Sequence, residues 1–492
     1  MDRWGEILQR AAASAEVSTH SHRVGSGDVF VALPGTHRHG TEFVPHALER
    51  GAGWAVVPQD YRPRAGVSEE SLVRVEDTRD ALGELARARY GTNRLPCRLI
   101  GVTGTNGKTT VCYLLEHLFR SAGYRVGVLG TISYRWPGHE ESAGLTTPDC
   151  LSIHALLSRM AASGTELVCM EVSSHGLEQK RVAGICFDAA LFTNLSREHL
   201  DYHLDMEHYF QSKNLLFTRY LSRGGPAVLN LDDPFGQRIY DLCDNPWGYS
   251  LGQGIDSGSG VLRGQLKRAD RSGLCLQVSH REREWEISSP LVGSHNAGNL
   301  LAAQAMGLSL GLREEDLSSL RNFSGVPGRL EWVPNKRGLN IFVDYAHTPD
   351  ALANLLESVR NTGYRRILVL FGCGGERDRE KRPRMGRVVA EHADLAFLTS
   401  DNPRSEDPER IMAEVMPGLQ AAQEVVREPD RRQAIRRAID RLQPKDVLLI
   451  AGKGHEAFQE VGGQRIPFSD REEVLSYLRQ LGDNPVEISP EN

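Results

Sequence analysis

The chain lacks the features that place a protein in a membrane or on nucleic acid. No apolar run approaches the roughly 18 residues that a membrane-spanning helix needs. The opening residues, MDRWGEILQR, are charged and lack the apolar core of a secretory signal. The 58 Lys and Arg residues nearly balance the 64 Asp and Glu residues, and no long basic run occurs. We therefore expect a cytoplasmic protein that neither inserts into a membrane nor binds nucleic acid.

Paired cysteines are also missing. The eight cysteines are scattered and never form a CxxC pair, which is the spacing typical of zinc and redox sites. Several lie in apolar runs, such as Cys169 in LVCM. The sequence therefore predicts buried thiols in a reducing compartment, without a disulfide or a zinc site.

The chain has the composition and length of a globular enzyme with several domains. Hydrophobic residues make up 40% and charged residues 25% of its 492 residues. Gly- and Pro-containing segments at 90–96 and 325–333 suggest boundaries near residues 93 and 328. The predicted domains are 1–92, 93–328 and 329–492.

Apolar strands alternate with helical stretches through the middle of the chain. This order predicts an α/β fold with a mostly parallel, doubly wound sheet. The first 90 or so residues read as a small α/β unit, and alternating runs between about 255 and 290 predict antiparallel strands. The central strands are expected at RLIGVTG (98–104), YRVGVLG (124–130), ELVCMEV (166–172) and FDAALFTNL (187–195).

A glycine-rich segment, GVTGTNGKTT (101–110), follows the first of these strands and precedes a helix. In that setting, backbone N–H groups and a helix N-terminus can bind phosphate. Lys108 would reach the β- and γ-phosphates, and Thr109 would offer its hydroxyl to magnesium. Val102 stands where the strict spacing has glycine. The alternative is a Gly-rich turn with a surface lysine; the strand–loop–helix order favours nucleotide binding.

Two residues near strand ends suit a magnesium ion held beside phosphates. Glu171 ends one strand, and His199 follows the next. Magnesium takes few protein ligands besides phosphate oxygens and water. A serine nucleophile in SSH (173–175) is not favoured, because the GxSxG motif is missing.

Three strands of the last domain run into polar loops. In open parallel sheets, ligands bind beyond the carboxyl ends of the strands. Ordinary turn chemistry would explain any one of these loops, whereas three together predict a substrate crevice. The segments are RRILVLFGCGG (365–375), ADLAFLTSDNPR (393–404) and DVLLIAGKGHE (446–456).

Six motifs, in this order, resemble the signatures of the Mur ligases, and within that family most resemble the diaminopimelate-adding members. The resemblance implies a UDP-binding domain, a central ATPase domain and a C-terminal Rossmann-like domain. It also implies that ATP phosphorylates a D-glutamate carboxylate, which an amine then attacks. The motifs are GTNGKTT (104–110), EVSSHGL (171–177), NLSREHLDYH (194–203), HNAGN (295–299), PGRLE (327–331) and DYAHTPD (344–350).

The resemblance assigns the ATP and metal site. Lys108, Glu171, His199 and Lys213 would be catalytic, with Thr109, Glu171 and His199 holding magnesium. Lys213 matches a lysine that CO₂ carbamylates into an oxygen ligand; without the resemblance it would be a plain amphipathic-helix lysine. The implied ATP contacts are Gly104, Thr105, Asn106, Gly107, Lys108, Thr109, Thr110, Asn296, Arg329 and Asp344.

The resemblance also assigns the UDP-linked substrate site. The sequence departs from the family pattern at His20-Ser21-His22, at Leu145 and at Glu198. The implied contacts are Ser21, Thr36, His37, Arg38, Thr146, Thr147, Ser173, Gln179 and Arg181.

The loop DNPR (401–404) indicates which amino acid is added. Diaminopimelate differs from lysine by a distal carboxylate, which a guanidinium such as Arg404 can bind bidentately. Arg404 on its own would equally suit a surface arginine after an Asn-Pro turn. The implied amino-acid contacts are Arg377, Asp401, Asn402, Pro403, Arg404, Gly452 and Glu456.

Other functions stay open at this point. A lysine-adding Mur ligase and a folylpolyglutamate-synthase-type ligase are the nearest alternatives, and a non-catalytic nucleotide-binding scaffold is a third. DNPR and the paired threonines 146 and 147 argue against the first two. Lys108, Glu171, His199 and Lys213 together argue against a scaffold. We expect a monomer that acts on small molecules.

Overall fold

A computed structural model of the chain describes residues 3–35, 38–198, 202–252, 260–360 and 362–483. The chain divides into two compact units, Met1–Gly248 with Ala302–Asp316, and Tyr249–Leu301 with Leu317–Asn492. No helix within the described ranges is long and apolar enough to cross a membrane.

The first unit begins with a four-stranded parallel sheet in the order β1-β2-β3-β4. The alternation of short apolar runs with helices therefore produces the small α/β unit that the sequence predicts. Its elements are α1 (Arg3–Ala13), β1 (Val17–Ser18), β2 (Val29–Val31), α2 (Val44–Glu49), β3 (Trp54–Pro58), β4 (Leu72–Val75) and α3 (Thr78–Tyr90).

Helix α3 is defined at both ends by its sequence. The Asp77 carboxylate accepts hydrogen bonds from the backbone N–H groups of Arg79 and Asp80, and Gly91 ends the helix at φ 67°. In its middle, Gly83 packs so tightly that a Cβ there would lie 2.5 Å from the Ala183 carbonyl carbon. The absence of a side chain at Gly83 therefore brings α3 against the segment that follows EVSSHGL.

The central sheet of the first unit has the order β11-β10-β5-β9-β6-β7-β8. Strands β6, β9, β5, β10 and β11 are parallel, and β7 and β8 are antiparallel additions. The elements are β5 (Arg98–Thr103), α4 (Lys108–Ser121), β6 (Val126–Leu129), β7 (Ser133–Trp136), β8 (His139–Ser142), α5 (Cys150–Ala162), β9 (Leu167–Glu171), α6 (Ser174–Glu178), β10 (Ala189–Phe192), α7 (Met206–Leu215), β11 (Ala227–Asn230) and α8 (Pro234–Tyr240).

The central strands are buried on both faces because helices cover them. Every residue of β6, β9 and β10 is buried, which explains their continuous apolar sequences. The predicted strand at 187–195 is shorter in the structure, Ala189–Phe192. Asn194 and the residues around it turn toward the phosphate loop instead of continuing the ladder.

Three elements contain a boundary between the units: β12 (Pro246–Ser250), α9 (His295–Ser309) and α10 (Glu314–Leu317). Antiparallel pairs join β13 (Val261–Asp270), β14 (Gly273–His280) and β15 (Arg283–Ser289). The predicted antiparallel region is therefore confirmed.

The second unit also contains a six-stranded sheet in the order β16-β17-β21-β18-β19-β20. Strands β17 to β21 pair in parallel, whereas β16 is antiparallel. The elements are β16 (Glu331–Trp332), β17 (Asn340–Asp344), α11 (Pro349–Arg360), β18 (Ile367–Phe371), α12 (Lys381–His392), β19 (Leu395–Leu398), α13 (Pro408–Val415), β20 (Val425–Arg427), α14 (Arg431–Asp440), β21 (Val447–Ala451), β22 (Phe458–Val461), β23 (Gln464–Pro467) and α15 (Asp470–Gln480).

The predicted α/β class with a mostly parallel sheet is confirmed. The three-domain division with boundaries near 93 and 328 stays a prediction. The eight cysteines are all free thiols, and Cys97, Cys112, Cys150, Cys169, Cys275 and Cys373 are buried.

A buried ion pair, Arg431 with Asp470, connects α14 to the start of α15. Both side chains are fully buried, and two hydrogen bonds of 2.7 Å join them. We expect Arg431→Met to lower the free energy of unfolding by about 3–5 kcal/mol, because Asp470 would be left as an unpaired buried charge. Urea denaturation measures this. The neighbouring pair of the exposed Arg432 with Glu473 supplies the control, Arg432→Met, with an expected loss below about 1 kcal/mol; equal losses would contradict the prediction.

Candidate active site

The glycine-rich loop connects β5 to α4 as the sequence predicts. Gly104 adopts φ 145°, and a Cβ on it would lie 1.9 Å from Thr193 Oγ1, so only glycine fits. The Lys108 ammonium lies over the loop and donates 2.8 Å hydrogen bonds to the carbonyls of Gly104 and Thr105. The loop also receives Asn194, whose side-chain oxygen accepts from the Asn106 N–H at 3.0 Å. This is the arrangement expected of a phosphate-binding loop.

Glu171 ends β9 beside the start of α4, and it is 1% exposed. Its carboxylate accepts hydrogen bonds from the hydroxyls of Thr109 (3.0 Å) and Thr131 (2.9 Å), and from the Thr131 N–H (2.8 Å). Gly130 makes room for it, since a Cβ there would lie 2.4 Å from Glu171 Oε1. A buried carboxylate beside a loop hydroxyl is an all-oxygen donor set, which suits magnesium.

Lys213 lies on α7 with its ammonium nitrogen 2.8 Å from the Gly104 carbonyl oxygen, the same oxygen that Lys108 contacts. Its side chain is 1% exposed and its nitrogen lies 4.5 Å from the centre of the Tyr209 ring. Burial, and then the charge of Lys108, hold the pKa of Lys213 well below its ordinary value. Burial and the Lys108 charge thus act in the same direction, against the charged form of this lysine.

The residues assigned to the muramoyl substrate form a connected network near Glu171. Thr146 and Thr131 hydroxyls are 3.1 Å apart, and the Thr147 hydroxyl donates to the Glu171 carbonyl at 2.9 Å. Arg181 donates to the Thr147 carbonyl (2.8 Å) and to the side-chain oxygen of Gln179 (2.8 and 3.1 Å). Ser173 caps α6, with its hydroxyl accepting from the Gly176 N–H.

The remaining substrate residues are only partly described. The Ser21 hydroxyl lies 3.0 Å from His46 Nδ1, and Arg38 is exposed. Among the described residues, no hydrogen bond joins Ser21 to the threonine network. Thr36, His37 and the predicted metal ligand His199 lie outside the described residues. Of the departures from the family pattern, Leu145 is 51% exposed and its carbonyl accepts from the Tyr134 hydroxyl.

Two site residues carried no signal of their own in the sequence. Thr131 orients Glu171, and the Tyr209 hydroxyl lies 3.1 Å from Thr105 Oγ1. Thr131 lies between β6 and β7 and Tyr209 lies within α7, each as an ordinary polar residue, and only their position in the folded chain reveals them. Asn194, which begins the motif NLSREHLDYH, holds the loop. A further group consists of Glu178 at the end of α6, His203, and His208 within α7. The Glu178 carboxylate lies 3.1 Å from the His203 ring and 3.5 Å from the His208 ring.

In the second unit, Arg329 and Asp344 lie close together. The Asp344 carboxylate accepts from the backbone N–H groups of Leu330 (2.6 Å) and Ala346 (2.8 Å), and burial raises its pKa. The Arg329 guanidinium stacks 4.6 Å from the centre of the Tyr345 ring. Asn296 begins α9 and donates to the Val292 carbonyl at 2.8 Å.

The three polar loops predicted to form a crevice follow adjacent strands, in the order β21-β18-β19. The Gly375 N–H donates to the Asn402 carbonyl (2.9 Å), and the Asn402 side chain donates to Glu456 (2.9 Å). Each loop therefore contacts another, because parallel strands end at the same edge of the sheet. Gly452 adopts φ 118° where the loop leaves β21, and Arg377 is exposed.

Arg404 is held in a strained backbone conformation with φ 54°. Its N–H and carbonyl bond to the backbone of Glu460 (2.9 Å) and Gly462 (2.7 Å) in the following hairpin. Its guanidinium donates to the Gly375 carbonyl at 2.6 Å and lies 3.4 Å from the Glu460 carboxylate. Arg404 is therefore half-buried and tied to two loops, and its role in selecting the amino acid stays a prediction.

Comparison with known proteins identifies the family. The Mur ligase middle domain matches residues 102–307, the Mur ligase glutamate ligase domain matches 328–454, and the Mur ligase family catalytic domain matches 15–90. A protein of Lawsonia intracellularis (strain PHE/MN1-00) is 50% identical over 458 residues, which cover 93% of this chain and 95% of that protein. The chain belongs to the Mur ligase family.

The same enzyme name recurs among the relatives of this chain. The Lawsonia protein and one from Aquifex aeolicus (strain VF5) are both named UDP-N-acetylmuramoyl-L-alanyl-D-glutamate–2,6-diaminopimelate ligase. The Aquifex protein is 41% identical over 476 residues, or 96% of this chain and 94% of that protein. As a member of this family the chain is a ligase enzyme.

Solved structures share the fold. A structure of a UDP-N-acetylmuramoyl-L-alanyl-D-glutamate–2,6-diaminopimelate ligase is 32% identical, with a TM-score of 0.67, covering 95% of each chain. A folylpolyglutamate synthase from Thermotoga maritima is 16% identical, with a TM-score of 0.58, covering 76% of this chain and 90% of that chain. The second likeness is one of fold alone.

Proposed function

We propose that this Mur ligase adds meso-diaminopimelate to the D-glutamate γ-carboxylate of UDP-N-acetylmuramoyl-L-alanyl-D-glutamate, using ATP, in peptidoglycan synthesis. The observation that carries the proposal is the loop cluster of the second unit, where the Arg404 guanidinium is fixed on the Gly375 carbonyl and the Asn402 side chain donates to Glu456. The names of relatives that are 41–50% identical agree with it.

The reaction proceeds in two steps, phosphorylation of the carboxylate and attack by the amine. A γ-carboxylate oxygen attacks the γ-phosphorus of ATP, so that an acyl phosphate forms and ADP leaves. The amine of diaminopimelate then attacks the acyl carbon, loses a proton, and expels inorganic phosphate from the tetrahedral intermediate. Both reactants of the first step are anions, so cations must screen their repulsion. Lys108 supplies one such charge over the phosphate loop.

Magnesium fits the donor set around Glu171. Thr109 and Glu171 would hold it, together with His199 by resemblance, and it would neutralise charge on the transferring phosphoryl group. The buried Glu171 carboxylate is oriented by Thr131, so its position is set before a ligand binds.

Carbamylation fits the surroundings of Lys213. The lysine is buried and its pKa is lowered, so its amine is available to attack CO₂ and form a carbamate. The carbamate would turn a buried amine into an anionic oxygen ligand beside the phosphate loop, opposite in charge to the Lys108 ammonium. We include it in the proposed active form.

The distal end of diaminopimelate carries an ammonium and a carboxylate, and the crevice offers a partner for each. Glu456 would accept hydrogen bonds from the ammonium, and Arg404 would bind the carboxylate. L-Lysine has no distal carboxylate, so it would lack the contact with Arg404 that diaminopimelate makes. The enzyme is therefore expected to select diaminopimelate over lysine.

An end-point reaction tests the proposal. The chain is incubated with UDP-N-acetylmuramoyl-L-alanyl-D-glutamate, ATP and Mg²⁺, with meso-diaminopimelate or L-lysine in parallel, and products are identified by mass. We expect a tripeptide product with diaminopimelate and little with lysine. Product only with lysine would overturn the amino-acid assignment. No product with either amino acid would overturn the proposed function and would favour the folylpolyglutamate-synthase-type ligase.

Two wider features belong to the same proposal. The enzyme would act as a monomer in the cytoplasm, where UDP-linked precursors and ATP are available. Its three domains, 1–92, 93–328 and 329–492, would respectively bind the UDP moiety, ATP and the incoming amino acid.

A further inference from the structure

Lys453 lies in the loop after β21, and its side chain is fully buried. A buried lysine is rare unless it is paired. Its ammonium donates to Asn402 Oδ1 at 3.0 Å and to Glu456 Oε2 at 2.9 Å, and lies 3.8 Å from Asp401 Oδ1. The family resemblance assigns Asp401, Asn402 and Glu456 to amino-acid binding. It does not assign Lys453, although the buried ammonium of Lys453 faces all three.

These hydrogen bonds allow only one orientation of the Asn402 amide. Its oxygen accepts from Lys453 and from the Glu460 N–H at 3.0 Å, and its nitrogen donates to Glu456 Oε2 at 2.9 Å. A flipped amide would direct its NH₂ group at two donors and its oxygen at a carboxylate. Glu456 Oε2 therefore has two donors, whereas no hydrogen bond from the described part of the chain reaches Oε1.

The same contacts decide the charge of Glu456. Desolvation acts to raise its pKa, yet the pKa lies below the ordinary value because the charge and hydrogen bond of Lys453, together with the Asn402 hydrogen bond, outweigh it. Asp401 is the contrasting case: burial raises its pKa despite the charges of Arg431 and Lys453. The titratable and charged groups that face Glu456 are Lys453, Asp401, His455, Tyr345 and Arg431.

We propose that Lys453 is a positioning residue for the incoming diamino acid, because it fixes the Asn402 amide and keeps Glu456 a carboxylate for the distal ammonium. The inference rests on the proposed function, since it takes that amino acid as the ligand. A purely structural lysine would stabilise the loop without changing the affinity for one substrate selectively. Substrate-specific kinetics therefore separate the two roles.

The experiment begins with the unmodified full chain. Its product with diaminopimelate is established first, so failure of the proposed function is seen before any variant is compared. Initial rates then give kcat and separate KM values for diaminopimelate, ATP and the UDP-linked substrate. The variants are Lys453→Met, which removes the charge, and Lys453→Arg, which keeps it. Lys336→Met, at an exposed position of the same unit, is the matched control.

We expect Lys453→Met to raise the KM for diaminopimelate by about tenfold to a hundredfold. This is the range expected when a hydrogen bond between charged groups, here Glu456 and the distal ammonium, is weakened. The KM values for the other two substrates should change little. Lys453→Arg should recover most of the affinity, and Lys336→Met should match the unmodified chain. An equal rise in all three KM values, or no rise with diaminopimelate, overturns the proposal.

The pH profile provides a second readout. With Lys453 present, the lowered pKa of Glu456 keeps the carboxylate ionised, so KM for diaminopimelate should vary little between about pH 6 and pH 8. Without the lysine, the pKa of Glu456 rises, and the carboxylate protonates as the pH falls. The KM of Lys453→Met should then rise toward pH 6; a profile parallel to that of the unmodified chain overturns the proposal.

A combined variant covers the case in which Lys453→Met alone does not fold. Lys453→Met/Asn402→Ala/Glu456→Gln removes the lysine together with both of its partners and is compared with Asn402→Ala/Glu456→Gln. If Lys453 acts through these two residues, the two variants should have similar KM values for diaminopimelate. A further rise of about tenfold on removal of the lysine would show independent action and overturn the proposal.

Discussion

Replacing Lys213 by methionine is expected to lower kcat by about a hundredfold to a thousandfold, the loss typical of removing one group that stabilises transition-state charge. The lysine is buried beside the phosphate loop with a lowered pKa, so the proposed carbamate can form there. Methionine has a similar length and cannot react with CO₂. Steady-state rates at saturating substrate measure the loss, and ¹³C NMR with labelled bicarbonate should show a carbamate signal in the unmodified chain and none in Lys213→Met.

The control for Lys213→Met is Lys267→Met, at an exposed position of β13, which should leave kcat and the labelled signal unchanged. Thermal denaturation of each variant checks that the fold is intact. Wild-type kcat in a folded Lys213→Met protein would contradict the assignment of Lys213 to the active site. The expected loss of kcat in Lys213→Met, without a carbamate signal in the unmodified chain, would contradict the carbamate. The lysine amine itself would then be the active group.

Replacing Arg404 by alanine is expected to raise the KM for meso-diaminopimelate by about a hundredfold, while the KM for ATP stays nearly constant. The guanidinium is the proposed partner of the distal carboxylate, and a charged hydrogen bond of this kind contributes about 1.5–3 kcal/mol. The discrimination between diaminopimelate and lysine should shrink by a similar factor, because lysine never used the contact. Competition between the two amino acids, read by product mass, measures it.

Arg410→Ala, at an exposed position of α13, is the matched control for Arg404→Ala. It should alter neither the KM for diaminopimelate nor the choice between the two amino acids. If Arg404→Ala kept the original KM and the original preference, Arg404 would no longer be the specificity residue. Equal increases in the KM values for diaminopimelate and ATP would instead indicate a general disturbance of the loop.

Much of the fold was predictable because its signals are local. Uninterrupted apolar runs predicted the buried parallel strands, and Asp77 and Gly91 show how local caps define a helix. The phosphate loop was predictable for a similar reason, since Gly104 and Lys108 lie within a few residues of each other in a known order. Strand length was harder to predict: β10 ends at Phe192 because the following residues bond to the loop.

The supporting residues of the site were not predictable, because their partners are distant in the chain. Thr131 holds Glu171 across 40 positions, and Lys453 reaches Asn402 across 51. Each is an ordinary polar or charged residue in its own segment. Their role depends on strands that pair in the order of the sheet, which differs from the order along the chain.

The amino-acid sequence by itself determined the α/β class, the position of the phosphate loop and the family resemblance, because these depend on periodicity and on residues at short spacing. Only the tertiary structure decided that Lys213 is a buried amine with a lowered pKa and that Arg404 is held by two loops. Burial and charge at one point arise from segments that meet through folding. A pKa or a hydrogen-bond partner therefore follows from the packed structure and not from a local pattern.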